Sequence, residues 1–317
     1  MIRAFALLFA AALGLGPARA ETVTIGLVGA VSATHWPIYV GVKKGYYAAQ
    51  DITLDMVFTP SSTALVQQLA AGSLDAALST GIVDPIYAID KGAPVAILRL
   101  EMVSPPYALM AQKRIKSIKE LKGKTIIVDG PKGITRLYVE RMLAANGIKP
   151  GEFDTLFAGA TAARFAALQS GAVDATILLP PFNFFAESAG FNTLGLAVDY
   201  TPELPFTGAV VNSNWAASHR PTLDRLLKAH SESMSWFLDP QHRTEAIAMM
   251  VEASRQTSED VAKAYDFLQQ HKFFDASGKV SKARMNAMLG ALRELGDISP
   301  QLTIDRMLLP GVAQMAD

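Results

Sequence analysis

The chain has 317 residues, with 29 basic and 29 acidic side chains, half of its positions hydrophobic and no cysteine. It is long enough for a large core or two lobes. The balanced charge, without any basic run, argues against nucleic acid or an anionic membrane as the partner. The missing cysteine removes disulfides, thiol catalysis, cysteine metal sites and a lipid-modified N-terminal cysteine.

Residues 1–20 read as an export signal. Met1-Ile2-Arg3 supplies a positive start, and residues 4–15 form an apolar run too short to span a bilayer. Ala18-Arg19-Ala20 fits the small-x-small cleavage rule. The mature chain is expected to begin at Glu21. No later apolar run reaches the length of a membrane helix. A freely diffusing bacterial periplasmic protein is the expectation, although secretion into the medium fits the signal equally.

Residues 23–28 alternate as a strand, and Pro37 suits the first turn of the helix that follows, where its missing N–H costs nothing. Residues 52–58 form a second strand. Ser61 and Ser62 then open a helix that Gly72 can end, and Asp75 sits in the turn before the short apolar strand 76–78. A helix over 83–91 and a strand over 94–100 follow. Ser104-Pro105-Pro106 punctuates the chain, and residues 107–111 read as a crossover into a second lobe.

The helix–glycine–strand pattern then returns. Thr161 to Ile177 repeats Leu-x-x-Gly-x-(Leu/Val)-Asp-Ala-x-(Leu/Ile), with a strand before it and an apolar stretch after it in both copies. Such turns recur in many α/β proteins, but the matching neighbours favour two related lobes. Strands are expected at 125–128, 155–158, 175–179, 194–198 and 208–211, with a return crossover near 206–212. Beyond it the pattern is helical, over 221–237, 245–253, 258–270 and 281–295.

Pro37-x-Tyr39-x-Gly41-x-Lys43-Lys44-Gly45-Tyr46-Tyr47, followed by Ile52-Thr53-Leu54, resembles the start of periplasmic binding proteins of the nitrate/sulfonate/taurine ABC-transporter family. The segment 61–78, Glu120-Leu121-Lys122-Gly123-Lys124-Thr125-Ile126, Gly133-Ile134-Thr135 and Gly171-x-Val173-Asp174-Ala175 match as well. The resemblance covers most of residues 21–215. That family also includes carriers of thiamine-related pyrimidines. The resemblance implies an α/β, two-lobed type II periplasmic-binding-protein fold, each lobe a mainly parallel sheet flanked by helices. The expected division is a signal peptide over 1–20, lobe 1 over 21–105 and 207–317 with the C-terminal helices, and lobe 2 over 106–206.

Ligands of open parallel sheets bind beyond the carboxyl ends of the strands, where helices begin. Four loops qualify: 32–36, 60–63, 79–81 and 129–136. Helix starts rich in hydroxyls attract anions through dipoles and free N–H groups. Candidate contacts are therefore Thr34, His35, Trp36, Ser61, Ser62, Thr80, Gly81, Pro131, Thr135, Arg136 and Phe182. Each has a plainer role open to it. Ser61 and Ser62 serve as caps alone or also touch ligand; Trp36 stacks on ligand or packs the core. His35 donates to ligand or stands partly exposed. Arg136 pairs with a carboxylate or sulfonate, or lies on a solvated face. Phe182 walls the cleft or packs between lobes, and Arg99 and Glu101, on one strand face, pair with each other.

Catalytic signals are weak. The five histidines show no metal-ligand spacing, no nucleophile elbow is present, and Gly123-Lys124-Thr125 lacks the upstream glycine of a phosphate loop. No cofactor or metal is expected. The expected activity is capture of a small organic anion, such as a sulfonate, taurine or a carboxylate, for an inner-membrane ABC permease and its ATPase. The protein is expected to act as a monomer. A thiamine-related pyrimidine or aromatic solute, a periplasmic sensor role, or a pyrimidine-synthase-like enzyme on the same fold stand as alternatives.

Overall fold

The computed structural model describes residues 20–30 and 32–316. The expected export signal lies, except for Ala20, outside the described residues.

From Glu21 the chain alternates strand and helix: β1 (Glu21–Val28), α1 (Trp36–Lys43), β2 (Ile52–Thr59), α2 (Ser62–Ala70), β3 (Ala76–Gly81), α3 (Val83–Asp90) and β4 (Val95–Met102). After β5 (Ala108–Ala111) the alternation starts again with β6 (Thr125–Val128), α4 (Ile134–Ala145), β7 (Asp154–Phe157), α5 (Thr161–Gln169), β8 (Ala175–Leu178), α6 (Phe182–Ser188) and β9 (Asn192–Leu196). β10 (Thr207–Asn212) leads into the C-terminal part: α7 (Ser213–Ser218), α8 (Arg220–Leu238), α9 (Arg243–Ser254), α10 (Ser258–Gln270), β11 (Val280–Ser281), α11 (Lys282–Glu294), α12 (Ile304–Met307) and β12 (Met315–Ala316).

Two five-stranded sheets result, ordered β2-β1-β3-β10-β4 and β7-β6-β8-β5-β9. We call them, with their helices, lobe 1 and lobe 2. β1 pairs in parallel with β2 and β3, and β6 with β7 and β8. The fourth place in each sheet holds a strand of opposite direction, β10 in one and β5 in the other. Both sheets are therefore mixed, with one reversed strand each.

Those reversed strands are the segments that the sequence marks as crossovers. Every residue of β5 and β10 is buried. A buried backbone needs ladder partners, so the crossing chain joins a sheet instead of running over the surface. The C-terminal part carries the short elements α7, α12, β11 and β12, which the helical pattern does not announce.

The core of lobe 1 lies on both faces of its sheet. On α8 the buried residues Leu223, Leu226, Ala229, His230, Ser233, Met234 and Phe237 recur at helical spacing and form one stripe. That stripe packs on α1: Ser233 donates to the Pro37 carbonyl, and Trp36 meets Phe237 edge to face at 6.3 Å. These contacts fix the first turn of α1 beside the end of β1, where the gap between the lobes opens.

Candidate functional site

A cavity lies between the carboxyl ends of the two sheets. Lobe 1 contributes Ser32, Thr34, His35, Ser62, Ser79, Thr80 and Gly81; lobe 2 contributes Asp129, Thr161, Arg164 and Phe182. Tyr107 and Phe206, from the two crossing segments, close its back. The lobes are shut on each other. Ala33 N donates to the Pro180 carbonyl across the gap at 3.1 Å. A Cβ added to Gly159 would lie 2.6 Å from the Pro60 carbonyl oxygen.

Of the sequence candidates, Thr34, His35, Ser62, Thr80, Gly81 and Phe182 come together here. Five lie elsewhere. Trp36 is 1% exposed and packs in the core against Phe237. Ser61 caps α2 by accepting from Ala64 N at 3.1 Å. Thr135 stands behind the cavity wall and donates to Asp129 Oδ1 at 2.7 Å. Pro131 and Arg136 line a separate cavity of about 480 Å³ against α3 and α11. There the Arg136 guanidinium is spent on Glu140, at 2.6 Å, and on the Pro131 carbonyl. The anion role expected for Arg136 therefore does not fit its place.

The cation that does face the cavity is Arg164. It is 1% exposed. Its Nε donates to the Ile177 carbonyl at 3.2 Å, its Nη1 to the Ala158 and Gly159 carbonyls, and its Nη2 to Thr161 Oγ1 at 3.1 Å. Among the described residues no carboxylate pairs with it, so its charge is held by neutral oxygens alone. The Tyr107 hydroxyl is within hydrogen-bonding reach of it; burial, above all, pushes the Tyr107 phenol up, and Arg164 pulls against that shift.

Arg164 heads a helix that lacks a side-chain cap. The N-cap of α5 is Ala160, whose side chain has no oxygen to offer, whereas the matching helix α2 is capped by the Ser61 side chain. The free N–H groups at the start of α5 face the cavity through Thr161 and Ala162. In the repeat Arg164 stands where the first copy has Leu65, a fully buried core residue. A charge in place of a core leucine was the signal in the sequence, and it went unread.

His35 is the opposite kind of group. It is 2% exposed, and its Nδ1 has no hydrogen-bond partner among the described residues. Burial lowers its pKa to about 4, with Glu101 opposing in part, so the imidazole is neutral at physiological pH. Asp129 supplies a carboxylate ordered by Thr135, whose Oγ1 also accepts from Asp129 N at 2.8 Å. Tyr107, Phe206 and Phe182 add aromatic walls; Tyr107 and Phe206 meet edge to face at 5.0 Å. The cavity thus offers a cation and free N–H groups on the lobe 2 side, hydroxyls and a neutral imidazole on the lobe 1 side, and apolar rings between. Among the described residues no group of three potential ligands could hold a metal ion.

A family model described as NMT1/THI5 like matches residues 32–243. The formylaminopyrimidine-binding protein of Halalkalibacterium halodurans is 32% identical over 108 residues, which is 33% of this chain and 32% of that protein. The chain spans about a third of the length of the curated relatives it matches. Among solved structures, the ligand-binding component of an ABC-type import system from Staphylococcus aureus superposes with a TM-score of 0.77 at 16% identity, over 92% of this chain and 97% of that one. The alkanesulfonate-binding protein SsuA from Xanthomonas axonopodis pv. citri, bound to MOPS, gives 0.74 at 16% identity, over 93% and 98%. These likenesses show a common two-lobed fold.

Proposed function

The chain belongs to the NMT1/THI5-like family, and on that premise we propose that it is the exported solute-binding component of an ABC importer. It captures a small organic anion between its lobes and hands it, as a monomer in the periplasm, to an inner-membrane permease and its ATPase. Residues 21–105 with 207–317 move as one lobe and residues 106–206 as the other. Among the described residues no helix is long and apolar enough to cross a membrane.

One observation carries the anion: a buried guanidinium without a counter-carboxylate, beside the uncapped start of α5. A buried charge is costly unless it is paired. A sulfonate or carboxylate seated there would take the Arg164 charge and the free N–H groups together. Because the cavity walls come from both lobes, solute binding favours the closed arrangement, and the solute's differential affinity for that state sets the closed population.

A second reading rests on the aromatic walls and Asp129. A planar aminopyrimidine would stack against Phe182 or Phe206 and donate to that carboxylate, and a relative that matches a third of this chain is a formylaminopyrimidine-binding protein.

The test is a thermal-shift and calorimetric screen over alkanesulfonates, taurine, nitrate, carboxylates and aminopyrimidines. A solute that binds only the folded state raises stability by about 2.7 kcal/mol at a hundred times its dissociation constant. We expect saturable 1:1 binding with the solute recovered unchanged, and a loss of at least tenfold in affinity for anions in Arg164→Lys. Binding of pyrimidines alone would move the conclusion to the second reading. Steady product formation would replace transport with catalysis.

A further inference from the structure

The ladder of the first sheet is irregular at its cleft end, on both sides of Gly208. On one side Gly208 pairs with Thr80 and Ala209 with Leu78, which leaves Ser79 without a partner. On the other side Thr207 pairs with Met102 and Gly208 with Leu100, which leaves Glu101 without one. Two bulges therefore flank one residue, and bulges re-aim side chains. Gly208 permits this because its backbone is pressed against β4: a Cβ there would lie 2.6 Å from the Arg99 carbonyl oxygen.

Ser79 stands at φ +84. An L residue keeps that left-handed conformation only where its surroundings enforce it. The Thr207 hydroxyl lies beside Ser79. Its oxygen accepts from Ser79 Oγ at 3.2 Å and from Met102 N at 3.2 Å, so one buried atom ties together the strands on either side of β10. Below Ser79 the fully buried Glu101 is held by His230 Nε2 at 2.7 Å, whose other nitrogen is 2.9 Å from the Tyr47 hydroxyl. The Ser79 turn therefore cannot sink into the core. The next two residues, Thr80 and Gly81, form the cavity wall.

We propose that Thr207 is a positioning residue for solute binding: its hydroxyl holds Ser79 in the left-handed turn that sets Thr80 and Gly81 in the lobe 1 wall. This rests on the solute-binding reading above. Thr207 also lines the cavity; the role proposed here differs from a direct contact in that the effect passes through the backbone of Ser79.

The experiment uses Thr207→Val, which removes the hydroxyl and keeps the shape, and the double variant Thr207→Val with Ser79→Gly, in which glycine adopts φ near +84 without strain. The probes are MOPS and a 4-aminopyrimidine, measured by calorimetry. Crystal structures of both variants report φ at position 79. We expect Thr207→Val to relax Ser79 to negative φ and to lower the affinity of the bound probe at least tenfold. The glycine variant should restore the positive φ and bring affinity back to within about threefold of the starting protein, and Thr207→Ser should keep φ positive at Ser79. A positive φ in Thr207→Val overturns the proposal. So does a relaxed turn with unchanged affinity, or a restored turn without restored affinity, which would make the Thr207 or the Ser79 hydroxyl, both in the cavity lining, a direct contact. If neither probe binds the unaltered protein, the solute reading with these classes fails, while φ in Thr207→Val still decides whether Thr207 holds the turn. Should Thr207→Val not fold, Ser79→Ala removes the same hydrogen bond from its other end and is read in the same way.

Discussion

Asp75 and Asp174 do the same work in the two lobes. Asp75 Oδ2 accepts from Thr24 N at 2.8 Å, and Asp75 N donates to the Thr24 carbonyl at 2.9 Å. Asp174 repeats both bonds with Thr125, at 3.0 and 2.9 Å. Each aspartate follows a helix that ends on glycine, Gly72 or Gly171, both at φ +76. The last carbonyls of the two helices are also served alike: Asn212 Nδ2 reaches Leu69 O at 2.8 Å, and Gln112 Nε2 reaches Leu168 O at 2.7 Å. In both lobes, then, an amide side chain at the end of the reversed strand (Asn212) or one residue past it (Gln112) caps the repeat helix.

Removing either carboxylate leaves a backbone donor unpaired, that of Thr24 in β1 or of Thr125 at the start of β6. Asp75→Ala and Asp174→Ala should each cost about 1–3 kcal/mol, read from urea denaturation. Asp→Asn at either site should cost less, because the amide oxygen still accepts. Equal costs for Ala and Asn would show that the bond contributes nothing.

His35 makes stability depend on pH. Its folded pKa, about 4, lies below the ordinary 6.5 because burial disfavours the imidazolium. The unfolded chain therefore binds the extra proton between those values. The contribution is complete above pH 6.5 and is lost as pH falls toward 4, by about 3 kcal/mol in all. Denaturation at pH 7, 6, 5 and 4 should show His35→Gln losing less stability over that range than the unaltered protein. Parallel losses would remove His35 from the account.

Arg284, on α11, grips both crossing segments. Its Nη1 donates to the Val103 carbonyl at 2.5 Å and to the Pro202 carbonyl at 2.6 Å. Arg284→Met keeps the apolar stem and releases both carbonyls. We expect a stability loss of about 2 kcal/mol and faster amide exchange around residues 103–107 and 201–206. Unchanged exchange there would mean that the segments are held by the sheets alone.

Two ion pairs join α4 and the loop before it to α11 and its end: Lys132 with Asp297, and Arg141 with Glu294 at 2.6 Å. The Tyr87 hydroxyl donates to Asp297 at 3.2 Å. The Arg141 and Glu294 side chains are 45% and 68% exposed, and Lys132 is 60% exposed although Asp297 is only 13% exposed, so each pair is worth only about 0–1 kcal/mol. Asp297→Asn with Glu294→Gln should therefore speed solute release by no more than about thirtyfold, and the effect should shrink at high salt. Stopped-flow release at two ionic strengths checks this; a larger change that salt does not touch would assign these residues another role.

The alternation of strands and helices, the repeat around Gly72 and Gly171, and four of the loops that meet at the gap were legible in the chain; the loop over 159–162, which also lines the cavity, was not among them. Each depends on neighbours within a few residues: a cap, a glycine stop, an apolar run of one period. Residues 107–111 read as an extended crossover and 208–211 as a strand beside the return crossover, but the sheet and direction in which each pairs were not legible, because pairing is a long-range choice. Nothing local says that a buried extended run will find a ladder partner.

The same limit divides the site residues. Trp36 and His35 are adjacent in the chain, yet the fold turns one onto Phe237 and the other toward the cavity. Arg136 and Arg164 both open helices, and only burial against carbonyls without a carboxylate separates the second from the first. The sequence alone determined that two related α/β lobes form and which loops lie at the strand ends, since those follow from local propensity and periodicity. Which side chains share the cavity, and with what charge, was decided only by tertiary structure, because desolvation and pairing depend on groups brought from distant parts of the chain.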